Sequence, residues 1–228
     1  MFYVFFIIVM IASMAAVGLV GFGGSNTSGV EEFTDDELPD ATPFVQTYSE
    51  PANTIDGTKP HVALITTSEG MIEIELATDA PSAVNSFAFM SGKGFYDGNA
   101  FFWVDDYFAQ AGDPTCNVDE GSICSGLGSP GYTLPREDNG ATHGQWAVVA
   151  IDLGTDGESV HGSQFRILRQ DDSRLDGSQT VFGTVTNVEG QEILASLGPL
   201  QCSDDDGDAC AEDTSSVLVI KTIEVRPA

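Results

Sequence analysis

Four cysteines with regular spacing are the first residues of this chain whose types suggest chemistry. Cys116 and Cys124 bracket the segment NVDEGSI, and Cys202 and Cys210 bracket SDDDGDA, so both pairs enclose seven residues. Cysteines this close along the chain predict two local disulfides, which an oxidising compartment would permit. Four reduced cysteines are the alternative.

Two kinds of metal site can be weighed from the residue types. A zinc site is disfavoured because the cysteine spacing is not Cys-x-x-Cys and the three histidines form no ligand pair with the cysteines. These histidines are His61, His143 and His161. Asp204, Asp206 and Asp208 surround Gly207 and form a weak candidate calcium loop. The ligand series is incomplete, since Cys202 stands at its first position, so a solvated acidic loop is favoured. We expect no metal.

The charge balance limits the possible partners. Lys and Arg number 8 against 35 Asp and Glu, giving a formal net charge of -27. Binding to nucleic acid depends on Lys and Arg displacing counterions from phosphates, so nucleic acid is excluded as a partner. Hydrophobic residues make up 42% of the chain, which is typical of a folded protein and not of a disordered one.

Composition divides the chain into three parts. Residues 1–23 hold an uncharged apolar run from Phe2 to Phe22, long enough to cross a bilayer as a helix. We predict a transmembrane signal-anchor here, with a cleaved signal peptide as the alternative. Residues 24–59 are rich in Gly, Ser, Pro, Asp and Glu and predict a disordered acidic linker. Residues 60–228 would then form one domain on the extracytoplasmic side of the membrane, or a secreted domain after cleavage.

The patterning of this domain is mostly that of short strands. HVALITT and MIEIEL alternate and predict a hairpin, with Ser68-Glu69-Gly70 as its turn. AVNSFAFMS has helical spacing and follows Pro81, which predicts a helix. Further strand candidates are AFFWV, YFAQAG, WAVVAI, SQFRIL and TVFGTV, followed by the helical EGQEILASL and the strand VLVIKTIEV. Many short strands with two helices predict a mainly β closed barrel. Alternation assigns three aromatic residues to its core, namely Phe101, Phe165 and Phe182.

The order of seven segments resembles the cyclophilin-type peptidyl-prolyl cis-trans isomerases. These segments are TSEGMIEIEL, DAPSAVNSF, GFYDGNAFF, AQAGDP, GSPGYTLP, HGSQFRI and LDGSQTVFGTV. Each is weak alone, but together they keep the family's order and nearly its spacing over about residues 61–200. The resemblance implies a closed eight-stranded antiparallel barrel capped by two helices, with a substrate groove on its outer face. It also implies rotation of X-Pro bonds without a cofactor, in a monomer that binds proline-containing segments of client proteins.

The resemblance places an unusual set of residues at the catalytic positions. The family motif FHRVIPGFMxQGG meets this chain as FFWVDDYFAQAG, one residue shorter in the turn. Trp103 therefore stands at the position of the family arginine, which donates toward the prolyl nitrogen. Gln110 matches the peptide-binding glutamine. Arg166 stands where the pocket has a phenylalanine, on a strand from which its guanidinium could replace the missing arginine.

The same comparison implies the substrate-binding residues. Tyr107 and Phe108 match the pocket's aromatic and methionine positions, and Leu175 matches its leucine. Gln164 matches a second groove glutamine, and Gln179 replaces the usual histidine. A further correspondence, of WAVVAID with the family's GTVSMAN strand, places two more residues beside the peptide, Ile151 and Asp152.

Three hypotheses follow from these substitutions. In the first, the domain is an active isomerase, whose activity is reduced because Trp103 cannot carry the arginine's charge. In the second, it is an inactive peptide-binding or chaperone module. In the third, it is a structural domain without a groove ligand.

The acidity of the chain also resembles that of proteins from salt-loving organisms, with an acidic non-halophilic exoprotein as the alternative. It predicts neutral or basic client peptides.

Overall fold

The computed structural model describes residues 46–118, 124, 126–152, 158–201 and 217–228. These ranges contain ten strands and two helices, together with a 3-10 turn at Ser173–Leu175. The strands are β1 His61–Thr67, β2 Met71–Leu76, β3 Trp103–Val104, β4 Phe108–Ala111, β5 Thr133–Pro135, β6 Ala147–Asp152, β7 Ser159–Leu168, β8 Thr180–Val185, β9 Leu200–Gln201 and β10 Ile220–Pro227. The helices are α1 Pro81–Gly92 and α2 Val188–Ser196.

The opening hairpin confirms the prediction from alternation. Ala63 and Ile65 on β1 pair with Ile74 and Ile72 on β2, and all four side chains are fully buried. The turn is closed by Thr67, whose backbone N–H donates to the carbonyl of Gly70 at 2.8 Å. Alternation therefore sends one face of the hairpin into the core and leaves the other to solvent.

Helix α1 begins at the predicted proline and packs across the core face of the sheet. Its first free N–H groups, those of Ser82 and Ala83, donate to the Glu137 carboxylate at 2.9 and 3.0 Å. Phe87 projects from its inner face, with ring centroids 5.6 Å from Phe165 and 5.4 Å from Phe182. The helix thus covers one side of the buried aromatic core, as its apolar spacing predicts.

Helix α2 is fixed to the opening hairpin. Asn187, just before the helix, accepts the N–H of Glu73 at 2.8 Å and donates to the carbonyl of Met71 at 2.7 Å. Ile193 and Leu194 are buried against the core.

The sheet is antiparallel with the strand order β10-β1-β2-β8-β6-β7-β4-β3-β9, and β5 pairs with β7 beside this path. The described ranges contain ten strands, so the prediction of eight was wrong. Three of the ten, β3, β5 and β9, are only two or three residues long. Near the two ends of the order, the N–H of Phe101 donates to the carbonyl of Leu218 at 2.9 Å. No ladder between β10 and β9 occurs among the residues that the structure describes, so closure of the barrel stays a prediction.

The sheet buries apolar side chains on both of its faces. The main core lies between the sheet and the helices and includes the three predicted phenylalanines, Phe101, Phe165 and Phe182. On the opposite face lies a smaller group that we call the outer apolar cluster. It consists of the buried residues Ala147, Val149, Leu168 and Val181, with Phe108, Ala141 and Leu175 packed against them.

The last part of the predicted linker contacts the domain. The backbone N–H of Tyr48 donates to the carbonyl of Pro130 at 2.7 Å, and the Tyr48 ring lies 5.0 Å from that of Phe89. The N–H of Thr54 donates to the side chain of Asn85 at 2.9 Å. Contacts with the domain therefore begin before the predicted boundary at Pro60.

Several predictions concern residues outside the described ranges. These are the membrane segment at 1–23, the linker as far as residue 45, the Cys202–Cys210 pair and the acidic loop between those cysteines. Within the described ranges, neither helix is long and apolar enough to cross a bilayer.

Candidate active site

Strand register brings the predicted catalytic residues into one row on the outer face. Trp103 on β3 lies opposite Gln110 on β4, Gln110 lies opposite Arg166 on β7, and Arg166 lies opposite Val149 on β6. Side chains of directly opposed residues share a face of the sheet. Trp103 and Arg166 therefore flank Gln110 from its two sides.

Arg166 is held over an aromatic ring beside the outer apolar cluster. Its guanidinium carbon lies 4.2 Å from the centroid of the Phe108 ring, and its Nε donates to Gln110 Oε1 at 2.9 Å. Burial lowers the pKa of Arg166, while the Asp105 carboxylate opposes this shift. Guanidinium stays protonated in proteins, so the site holds a cation. Its two terminal nitrogens have no hydrogen-bond partner within the described part of the chain.

Gln110 and Gln164 form a buried pair of amides next to this cation. Gln110 Nε2 donates to Gln164 Oε1 at 2.9 Å, and each residue is only 4% exposed. Gln164 Nε2 donates in turn to the carbonyls of Gly126 and Gly128 at 3.1 and 2.9 Å. The structure thus joins three predicted site residues, Arg166, Gln110 and Gln164, in one hydrogen-bond network.

His161 supports this network in a role that the sequence did not reveal. Its Nδ1 accepts the backbone N–H groups of Ser163 and Gln164 at 3.2 and 3.0 Å. An accepting Nδ1 is not protonated, and burial lowers the pKa of His161, with Asp113 and a hydrogen bond to Gly128 opposing the shift. The neutral ring holds the start of the strand segment that carries Gln164. The one available signal was its position in the HGSQF segment.

Two partly exposed residues packed on the outer apolar cluster, Phe108 and Leu175, supply an apolar surface beside the cation. Phe108 and Leu175 were expected in the substrate pocket, and both pack against this cluster. Val149, Leu168 and Val181 were not predicted at the site, although their alternation with core residues was a usable signal. Trp103 also approaches from β3, with its ring 5.6 Å from that of Phe108.

Tyr107 lies at the rim of this surface, in the short turn between β3 and β4. Asp105 forms the turn by accepting the N–H groups of Tyr107 and Phe108 at 2.7 and 2.9 Å. The exposed Tyr107 ring stacks against Arg174, whose guanidinium carbon is 4.6 Å from the ring centroid. Arg174 is itself held by Asp172 through two hydrogen bonds of 2.7 and 2.8 Å. With one residue fewer than the family motif, the Asp105 turn still places Tyr107 against Arg174 and Phe108 against Arg166.

Three other predicted residues lie outside the hydrogen-bond network just described. Ile151 and Asp152 are half-buried at the end of β6, where the register with β7 shifts. Gln179 directly precedes β8, and its Oε1 is buried without a hydrogen-bond partner among the described residues.

One of the two predicted disulfides lies near the site. Cys116 and Cys124 are bonded, with their Cα atoms 4.2 Å apart. Across the described ranges, no three His, Cys, Asp or Glu residues are grouped so that they could hold a metal ion. The candidate calcium residues Asp204, Asp206 and Asp208 fall outside those ranges.

This geometry combines an apolar surface, a cation with unused donors and two oriented amides. Such a site can hold an apolar ring on the outer apolar cluster while a guanidinium N–H donates to an atom next to that ring. The buried amide pair holds the guanidinium in this position.

Comparison with known proteins gives a consistent result. The family model for "Cyclophilin type peptidyl-prolyl cis-trans isomerase/CLD" matches residues 61–225. A peptidyl-prolyl cis-trans isomerase of Synechococcus elongatus is 33% identical over 137 residues, covering 59% of this chain and 87% of that protein. Peptidyl-prolyl cis-trans isomerase B of Bacillus subtilis is 37% identical over 118 residues, covering 51% of this chain and 76% of that protein.

Solved structures agree on the fold. The crystal structure of a Cryptosporidium parvum cyclophilin-type isomerase superposes with a TM-score of 0.59 at 22% identity, covering 74% of this chain and 99% of that one. A second structure of that protein, determined in the presence of the dipeptide Ala-Pro, has a TM-score of 0.57 at 21% identity and covers 73% of this chain and 99% of that one. From the extent of the family match, the chain belongs to the cyclophilin-type peptidyl-prolyl cis-trans isomerases, a family of enzymes.

Proposed function

We propose that this chain isomerises X-Pro bonds of extracytoplasmic proteins and that Arg166 performs the role of the family arginine. The observation that carries the proposal is the position of the Arg166 guanidinium over Phe108, beside the outer apolar cluster, with its terminal N–H groups unused. The activity is reduced relative to that of relatives with the usual arginine, because Arg166 approaches from a different strand.

The chemistry requires only that the twisted amide be bound more tightly than either planar isomer. Rotation about an X-Pro bond crosses a barrier of about 20 kcal/mol, because amide resonance is lost in the twisted state. The nitrogen lone pair localises there and becomes a good hydrogen-bond acceptor. An N–H of Arg166 aimed at this nitrogen stabilises the twisted state selectively, and about 1.4 kcal/mol of such stabilisation gives a tenfold rate increase.

The other predicted residues then have separate roles. The proline ring rests on Phe108 and Leu175, which pack over the outer apolar cluster, while Tyr107 borders the ring. Gln110 orients Arg166, and Gln164 in turn orients Gln110. Ile151, Asp152 and Gln179 contact the flanking peptide.

An inactive peptide-binding or chaperone module is the second candidate. Trp103 favours it, since an indole at the usual arginine position has one neutral donor and no charge. In that case the outer apolar cluster and the amide pair would bind proline-containing segments without turning them over.

The proposal places the domain outside the cytoplasm, as a monomer anchored by the segment at 1–23. The apolar run Phe2–Phe22 supports an anchor, and the disulfide between Cys116 and Cys124 fits an oxidising compartment. The proposed clients are neutral or basic proline-containing segments, because the net charge of -27 would repel acidic ones.

A proline isomerisation assay on a short Ala-Pro peptide tests the proposed catalysis. The full chain in detergent is compared with the Arg166→Met variant and with Arg226→Met, a matched control at an exposed position on β10. We expect wild type and the control to turn over the peptide, while Arg166→Met loses about 10- to 150-fold in kcat/KM. Background turnover by the wild type, with retained peptide binding, would establish the inactive module instead.

A further inference from the structure

We infer that Asp113 and the Cys116–Cys124 disulfide form a positioning clamp for the catalytic amide network. The clamp holds the loop carbonyls of Gly126 and Gly128 against Gln164 and thereby sets the orientation of Arg166. This inference rests on the proposed function, because Arg166 is the group whose orientation matters.

The carboxylate of Asp113 is the first part of the clamp. Asp113 is fully buried, and its Oδ1 accepts both the N–H and the hydroxyl of Thr115 at 2.7 Å. Its Oδ2 accepts the N–H of Gly128 at 3.0 Å. A Cβ atom at Gly128 would lie 2.0 Å from Asp113 Oδ1, so the loop backbone passes as close to the carboxylate as a glycine allows. Asp113 thus fixes the position of Gly128, whose carbonyl is one of the two that accept from Gln164.

The disulfide is the second part. Cys116 lies at the start of the loop, where its N–H donates to the carbonyl of Asp113 at 3.0 Å, and Cys124 lies two residues before Gly126. Both cysteines are buried in a small apolar cluster with Phe102, and Trp103 packs against this cluster. The disulfide therefore joins Cys116, close to Asp113, with Cys124, close to Gly126, in a cluster against which Trp103 of β3 packs.

The clamp acts through the chemistry of amides. A backbone carbonyl can only accept hydrogen bonds, so Gly126 and Gly128 require Gln164 to present Nε2 to the loop and Oε1 to Gln110. Gln110 must then present Nε2 to Gln164, which leaves its Oε1 to accept from Arg166 Nε. Each amide fixes the orientation of the next, and the last one holds the guanidinium over Phe108. Asp113 and the cysteines are positioning residues, since they reach the substrate only through others.

The test uses the full chain in detergent micelles and two variants, Cys116→Ala/Cys124→Ala and Asp113→Asn. Asp56→Asn is the matched control, because Asp56 is exposed and distant from this network in sequence and contacts. The first readout is the set of side-chain amide resonances of Gln110 and Gln164 and the Nε–H resonance of Arg166. The second is kcat/KM on an Ala-Pro peptide, with thermal melts to verify folding.

We expect both variants to shift or broaden these three resonances and to lose about tenfold or more in kcat/KM, since small misplacements of a positioned group have such effects. The control should match wild type. If the double-alanine chain does not fold, Asp113→Asn alone decides. Unchanged resonances would overturn the clamp, and so would shifted resonances in variants that keep the kcat/KM of an active wild type. Shifted resonances in a chain whose wild type is inactive would support the clamp and refute the proposed function, so the two failures are distinguishable.

Discussion

Exchange of the residues at positions 103 and 166 tests whether this site is a rearranged version of the family's. Trp103 and Arg166 lie opposite Gln110 on neighbouring strands, so each can place a side chain against the same amide. The double variant Trp103→Arg/Arg166→Phe returns both residue types to the positions that they have in the family. The single variants Trp103→Arg and Arg166→Phe complete a double-mutant cycle.

The expected magnitudes follow from the contacts of Arg166. In Arg166→Phe the site loses its cation, including the hydrogen bond of 2.9 Å to Gln110 Oε1. A hydrogen bond from a charged donor is worth about 1.5–3 kcal/mol, so kcat/KM should fall about 10- to 150-fold. Trp103→Arg alone places two like charges on either side of Gln110 and should also lower activity. The double variant again has one cation, at position 103, and one aromatic residue, at position 166, beside Gln110. We expect it to be at least about tenfold more active than Arg166→Phe.

The assay is isomerisation of an Ala-Pro peptide by all four chains, with thermal melts to confirm that each is folded. Arg226→Phe, at an exposed position on β10, controls for the loss of an arginine elsewhere. A folded double variant that is no more active than Arg166→Phe would refute the reasoning, since a guanidinium beside Gln110 would then not be the catalytic group.

Three further outcomes concern stability. Gly112 has φ +92, and a Cβ there would lie 2.3 Å from the Ser163 carbonyl oxygen. Gly112→Ala should therefore lower the free energy of unfolding by about 2–4 kcal/mol in urea titrations. The control Gly140→Ala, at φ +66 with open space around it, should lower it by only about 1 kcal/mol. Hydrogen bonds from Arg174 lower the pKa of Asp172, so this carboxylate stabilises the fold above its ordinary pKa and the benefit is lost as pH falls through the lowered value. The Tm difference between wild type and Asp172→Asn should therefore shrink from pH 7 to pH 3, and an unchanged difference would contradict this. Because salt screens the repulsion within a chain of net charge -27, Tm should rise as KCl approaches molar concentrations. An unchanged Tm would contradict adaptation to high salt.

Local patterns were sufficient for most of the elements. The strict alternation of β1 and β2 and the apolar spacing after Pro81 depend on neighbouring residues only, and the structure has these elements where they were predicted. The very short strands β5 and β9 were missed because two or three residues are too few to show a period. Residues 46–59 were assigned to the linker because their composition is polar, yet Tyr48 packs against Phe89 in the fold.

The residue types at the site were also evident in the sequence, which alone shows a glutamine pair, a tryptophan at the arginine position and an arginine at a pocket position. It could not show where Arg166 points, because Gln110 and Arg166 are 56 residues apart and only the pairing of β4 with β7 makes them neighbours. The sequence also could not show the outer apolar cluster. Alternation predicts that a strand buries one face, but only the packing decides whether the other face is covered as well. The sequence by itself determined the elements and the inventory of chemical groups. Tertiary structure decided which groups meet, because a hydrogen bond or a stacked cation depends on a register set by contacts far apart along the chain.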